Sequence, residues 1–257
     1  MTAPSPLRVV VTRPAAQAAA WVERLRERGI VAEALPLIEI AAVDDRSPLV
    51  AEWRALANHR LVVFVSANAV EQFFAARPEG VAWPVDVVAA APGPGTAAAL
   101  LAAGCPTAAI AQPAVDAAQF DSEALWQQLR GRDWRGTRVL VVRGDGGRDW
   151  LGDRLREAGA EVEALAAYRR VAPSFTAAAR ARLDALVASE DVAWLFSSSE
   201  AIANLAQAAA DARWQRARAV ATHPRIAARA RRAGFGSVLE CGATIDAVVA
   251  CIQSIGP

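Results

Sequence analysis

Lysine is absent from the chain: all 28 basic residues are arginine. That removes Schiff-base chemistry and every cofactor or phosphate loop anchored by a lysine. Histidine is nearly absent as well. Only His59 and His223 occur, which excludes a His-rich metal site and argues against a Ser-His-Asp triad. The three cysteines, Cys105, Cys241 and Cys251, are odd in number and show no C-x-x-C spacing. With no hydrophobic signal core in MTAPSPLR, a reduced cytoplasmic compartment is expected. No apolar run approaches the roughly 18–20 residues of a membrane span. The arginines are intermixed with acids and form no run of five or six. Neither a membrane nor a nucleic acid is therefore an expected partner.

What is present reads as a packed globular protein. Hydrophobic residues make up 54% of the 257 and charged residues 21%, so disorder is not expected. The length allows one large domain or two of ordinary size.

Shifting the chain against itself by about half its length exposes a duplication. RVVVTRP at 8–14 matches RVLVVRG at 138–144, and Gly29 matches Gly159. LVVFVSANAV at 61–70 matches VAWLFSSSEAI at 192–202. VVAAAPGPGTAAALLAAG at 87–104 matches RAVATHPRIAARARRAGF at 218–235. Each repeat alternates a short apolar strand, a polar turn and a helical pattern. The helix over 15–28 places Ala18, Trp21, Val22 and Leu25 on one face and stops at Gly29. Alternating strands and helices imply an α/β fold with doubly wound parallel sheets, here two of them. The segments 31–40 and 161–170, each followed by a polar stretch with little helical pattern, are the expected crossing points between domains.

In such sheets ligands bind beyond the carboxyl ends of the strands. Six turns belong there: Thr12-Arg13-Pro14, Ser66-Ala67-Asn68, Gly93-Pro94-Gly95-Thr96, Gly144 to Arg148, Ser197-Ser198-Ser199 and His223-Pro224-Arg225. Each opens a helix, whose N-terminus offers free N–H groups to an anion. Domains facing each other would thus ring a cleft suited to a polycarboxylate or polyphosphate. The plainer reading is that these residues are helix caps. Gly93 to Ala98 fits G-x-G-x-x-A, but the acid expected after the next strand is missing: Gln112 stands there, and Asp116 follows a proline. A nicotinamide site is not expected. The turn 144–150 lacks G-K-[ST], and Asp145 or Asp149 is expected to cap the following helix. Tyr168 is the only tyrosine, and its repeat partner is Ile38. It is either a half-buried core residue or a function gained by one copy. His223 is a turn residue able to titrate near neutrality, and His59 is expected at the surface.

Several blocks in order carry a resemblance. They are Thr12-Arg13-Pro14, PLIEI at 36–40, FVSANAV at 64–70, G-x-G-T-A at 93–97 and SEALW at 122–126. VRGDGGRDWLGDRLREAGAEV at 142–162, Tyr168-Arg169-Arg170 and SSSEAIANL at 197–205 complete the set. Together the chain resembles the uroporphyrinogen-III synthase family over nearly its whole length. The resemblance implies two interleaved α/β domains, 1–37 with 172–257 and 38–171, with a cleft between them. A two-stranded antiparallel linker, about 34–40 and 164–171, would join them. It implies cyclisation of hydroxymethylbilane, a linear tetrapyrrole carrying eight carboxylates, with loss of water and inversion of the terminal ring through a spiro intermediate. No cofactor or metal is implied, and a monomer is expected. The family's functional tyrosine matches Tyr168. Binding roles carry over to Thr12, Arg13, Ser66, Asn68, Thr96, Arg143, Gly144, Arg148, Ser197 and Ser198. One departure is Ile226, where a threonine is usual, with Arg225 beside it as a substitute contact. The rival readings are a non-enzymatic two-domain module that binds an anionic small molecule, and a nucleotide-dependent α/β enzyme.

Overall fold

The computed structural model describes residues 7–114, 117, 120–146 and 149–255. Strands and helices alternate along the chain. The first half holds β1 (Arg8–Val11), α1 (Ala15–Arg26), β2 (Val31–Ala34), β3 (Glu39–Ala42), α2 (Ser47–Ala55), β4 (Leu61–Phe64), α3 (Ala67–Phe74), β5 (Val88–Ala90), α4 (Pro94–Ala102), β6 (Ile110–Ala111) and α5 (Ser122–Leu129). The second holds β7 (Arg138–Gly144), α6 (Trp150–Glu157), β8 (Glu161–Val171), α7 (Ala177–Ala188), β9 (Val192–Phe196), α8 (Ser199–Ala208), β10 (Arg218–Ala221), α9 (Pro224–Arg232), β11 (Ser237–Glu240) and α10 (Ile245–Gln253). Two compact units result: Met1–Glu39 with Val171–Pro257, and Ile40–Arg170.

Among the described residues the strands form one sheet per unit. The first runs β11-β10-β9-β1-β2 and the second β3-β8-β7-β4-β5-β6. Pairing is parallel throughout the first and from β8 to β6 in the second. Read from β2 and from β8, the two orders are the same arrangement. β1 and β2 correspond to β7 and β8, and β9 to β11 correspond to β4 to β6. The pair precedes the trio in the first unit's chain order and follows it in the second. The duplication therefore survives in space as a circular permutation. Its helix stops repeat too. Gly29 and Gly159 have φ of 75° and 94°, and Gly104 and Gly234 have 88° and 94°. That left-handed conformation suits only glycine at a helix end.

Both units bury their sheets on two faces, as crossover helices require. In β4, Val62 and Phe64 face a cluster with Trp53, Phe73 and Trp83, while Leu61 and Val63 face Leu125, Leu129, Trp134 and Leu155. The indole N–H groups of Trp53, Trp83 and Trp134 each donate to a backbone carbonyl, at 2.7, 2.8 and 2.9 Å. In the first unit Val9 and Val11 of β1 pack with Ala18, Val22 and Leu25 of α1 and with Val248 and Ile252 of α10.

Two expectations fail here. The polar stretches after 40 and 170 do carry helices. α2 buries Leu49 and Trp53 at i, i+4, and α7 buries Leu183 and Leu186 behind a Thr176 cap. Short apolar stripes under many arginines and acids hid both. His59 is not at the surface but 3% exposed. It follows a one-turn 3-10 helix, Leu56–Asn58, and continues the buried stripe of Trp53 and Leu56 at a spacing of three. Its polar neighbours Asn58 and Arg60 point outward. Among the described residues no helix is long and apolar enough to cross a membrane.

Candidate active site

Strand order reverses between β7 and β4 in the second unit and between β1 and β9 in the first. Crossover helices leave these points in opposite directions and open a crevice at the strands' carboxyl ends. The residues singled out in the sequence gather at both.

In the second unit the crevice holds Ser66, Gly144 and Tyr168. The register of β7 against β8 shifts between Arg143 and Gly144, so that Arg143 faces Ala166 and Gly144 faces Tyr168. Ala167 is the extra residue. Such a bulge re-aims a strand, and here two consecutive residues, Ala167 and Tyr168, are buried, at 1% and 3% exposed. The tyrosine ring lies against β7. A Cβ on Gly144 would stand 3.0 Å from Cε2 and 3.1 Å from Cζ of Tyr168, so glycine there is what admits the ring. The phenol oxygen sits 3.0 Å from Ser66 Oγ. Ser66 caps α3, its Oγ accepting the N–H of Ala69 at 3.2 Å. The hydroxyl pair is thus fixed at a helix N-terminus, where negative charge is favoured. The Asp145 N–H donates to the Tyr168 carbonyl at 3.0 Å, closing the turn.

Around it, Arg143, next to last in β7, is half-buried with Nη1 3.7 Å from Asp149 Oδ1. Asp149 occupies the N-cap position of α6 but makes no capping bond. Its carboxylate turns to Arg156 instead, at 2.8 Å, because an ion pair outcompetes a neutral N–H donor. Asp145 does not cap α6 either. Its Oδ1 accepts from the Arg170 N–H at 3.4 Å. Arg148 lies outside the described residues. Asn68 is partly buried in the first turn of α3. Thr96 is 7% exposed in the first turn of α4, and Ile226, its repeat partner in α9, is also 7% exposed. The departure at Ile226 therefore fills a packing position common to both copies. Gly93 approaches Phe120 so closely that a Cβ would meet it at 3.0 Å.

In the first unit Thr12 bridges the reversal point, Oγ1 donating to the Leu195 carbonyl of β9 at 2.8 Å. Arg13 follows, its guanidinium stacked 4.2 Å from the Trp21 ring centroid. Burial pushes its pKa down to about 10. Among the described residues no carboxylate pairs with it, and its buried Nε has no hydrogen-bond partner. Ser197 lies half-buried between β9 and α8, and Ser198 caps α8, accepting the Glu200 N–H at 3.2 Å. His223 caps α9 through Nδ1, which accepts the Arg225 N–H at 3.1 Å. A capping nitrogen must carry a lone pair, so this position favours the tautomer protonated at Nε2.

A family model described as uroporphyrinogen-III synthase HemD matches residues 19–250. The chain belongs to the uroporphyrinogen-III synthase family. Among named relatives, the uroporphyrinogen-III synthase of Salmonella typhimurium is 34% identical over 174 residues, 67% of this chain and 69% of that one. The enzyme of Escherichia coli K12 is 32% identical over 176 residues, with the same coverage. Among solved structures, a mutant uroporphyrinogen III synthase from Thermus thermophilus aligns over 97% of both chains with TM-score 0.57 at 18% identity. The synthetase of Helicobacter pylori aligns over 97% of this chain and all of its own, with TM-score 0.59 at 15% identity. These two likenesses concern the fold. The family match begins after Thr12 and Arg13, so the arginine site stands on its geometry alone. Sequence reading missed Trp21 as the platform for Arg13. Its signal was the position: two helical turns after Arg13, on the apolar face of α1.

Proposed function

We propose that this chain closes hydroxymethylbilane to uroporphyrinogen III, with Tyr168 as the acid that starts the reaction. The observation that carries this is the Tyr168–Ser66 pair, an isolated buried phenol held at a helix N-terminus in the crevice of its sheet. The phenol gives its proton to the terminal hydroxyl of the substrate, which leaves as water. The azafulvene cation that remains is attacked by the distal pyrrole at its substituted carbon, forming the spiro intermediate through which that ring inverts. The phenolate left behind keeps the Ser66 hydroxyl 3.0 Å away as a donor and is positioned to recover a proton as the macrocycle aromatises its last pyrrole. Unassisted closure gives the uninverted isomer, so holding one geometry is the larger part of the task.

The substrate's carboxylates fit the turns of each unit. Arg13, poorly solvated and without a described counterion, has most to gain from an anion. Ser66, Asn68, Arg143 and Gly144 in one unit, and Thr12, Ser197 and Ser198 in the other, supply hydroxyl, amide and backbone donors. We take Thr96 to act through packing more than through its hydroxyl. The protein acts as a cytoplasmic monomer that needs no cofactor.

The experiment is to supply freshly made hydroxymethylbilane and separate the product isomers by chromatography. Isomer III is expected; isomer I alone, as in buffer, would reject the reading. Tyr168→Phe should lower the rate at least tenfold and shift Tm little, since one hydrogen bond contributes about 1 kcal/mol. Full turnover to isomer III by that variant would remove Tyr168 from the mechanism.

A further inference from the structure

We propose that Glu52, His59 and Glu163 form a binding site for a divalent cation of the zinc class, at the end of the second unit's sheet opposite Tyr168. Glu52 comes from α2, His59 from the turn before β4, and Glu163 from the start of β8. One ligand atom from each lies within 4.8 Å of the others. The His59 side chain is wholly buried with the Ala55 carbonyl as a weak acceptor nearby, while its Nε2 and the buried Glu52 Oε2 form no hydrogen bond. A buried polar atom left without a partner costs about 1–3 kcal/mol, so His59 Nε2 and Glu52 Oε2, which face one another, call for a common one.

The spacing suggests what that partner is. His59 Nε2 and Glu52 Oε2 are 3.6 Å apart, beyond a hydrogen bond. Two ligands of one tetrahedral zinc, with bonds of about 2.0–2.2 Å, stand roughly 3.4 Å apart. One imidazole with two carboxylates is a donor set that zinc accepts. Glu163 is exposed and can close the remaining distance. Arg138 holds its Oε1 at 2.8 Å, and that bond leaves Oε2 for an ion. Arg138 is itself partly exposed and can yield as the cation enters. Glu163 stands five residues before Tyr168 on the same strand, about 17 Å away. The cation would therefore pin α2 and the turn after it to β8 and would not touch the reaction.

The test uses the full chain stripped with chelator, titrated with zinc chloride by calorimetry at pH 7.5, with thermal unfolding in parallel. One equivalent should bind. At a hundredfold excess over the dissociation constant, Tm should rise by on the order of 5–10 °C. His59→Gln should abolish both effects. Glu163→Gln, at an exposed position where folding is secure, should weaken binding at least tenfold and leave zinc-free formation of isomer III unchanged. The response must persist when the two adjacent thiols of the first unit are removed as Cys241→Ser with Cys251→Ser. No heat and no Tm shift with 100 μM zinc, as an order-of-magnitude ceiling on a built site, would overturn the proposal. So would an undiminished response in Glu163→Gln, or a response that disappears with the thiols.

Discussion

A guanidinium that is largely buried, stacked on Trp21 and left without a described carboxylate costs the fold stability, because desolvation of a charge is only partly repaid. Arg13 is kept in that state, with its pKa pushed down to about 10, and the proposed substrate is rich in carboxylates. Arg13→Met, which keeps the stem and removes the charge, should raise stability by about 1 kcal/mol and lower turnover at least tenfold. Thermal melts beside the isomer assay decide it; a variant that loses stability along with activity would mark Arg13 as structural. Tyr168 was legible in the sequence because the repeat supplied its own control in Ile38. Ser66 was legible as a turn residue, but its 3.0 Å approach to the phenol was not, since the two are 102 positions apart. His59 was misread because Asn58 and Arg60 look like surface. Its burial follows from where Leu56 packs, which local polarity does not report.

At the level of elements, six strand-to-helix turns were foreseen, and a helix follows each, starting inside the turn at Ala67, Pro94, Ser199 and Pro224 and just beyond it at Ala15 and Trp150. Caps and glycine stops are local chemistry and are readable without a fold. The crossing after β2 was expected within 31–40, but the point at which that strand stops was not. Pro36, which cannot donate to a ladder, falls where β2 gives way to β3 in a different sheet. Its repeat, β8, has no proline and runs eleven residues unbroken. The bulge at Ala167 was equally invisible, because it is set by pairing with β7. It yields a prediction. Gly144→Ala puts a Cβ 3.0 Å from the tyrosine ring, so the ring must give by a few tenths of an ångström and its contact with Ser66 is strained. Turnover should fall about tenfold, with a stability loss near the 1–3 kcal/mol typical of overpacking. A wild-type rate in this variant would separate the Tyr168–Ser66 contact from catalysis.

For the molecule as a whole, the two units hold the same sheet reached by different routes along the chain. The second is continuous, with its own core on both faces of β4 and β7. Residues 39–171 expressed alone should therefore fold and unfold in one cooperative urea transition. A fragment that melts without a transition would show that it depends on the other unit. The first unit has no such continuous stretch. Strand β1 leaves the ribosome long before its neighbour β9, which begins at Val192. At about 5–20 residues per second, Arg8 waits roughly ten seconds or more for the strand that covers it, and the whole second unit forms in the interval. The apolar run Val9, Val10 and Val11, shielded only by α1 and β2 during that delay, is where a nascent chain of this protein is most open to aggregation and to chaperones.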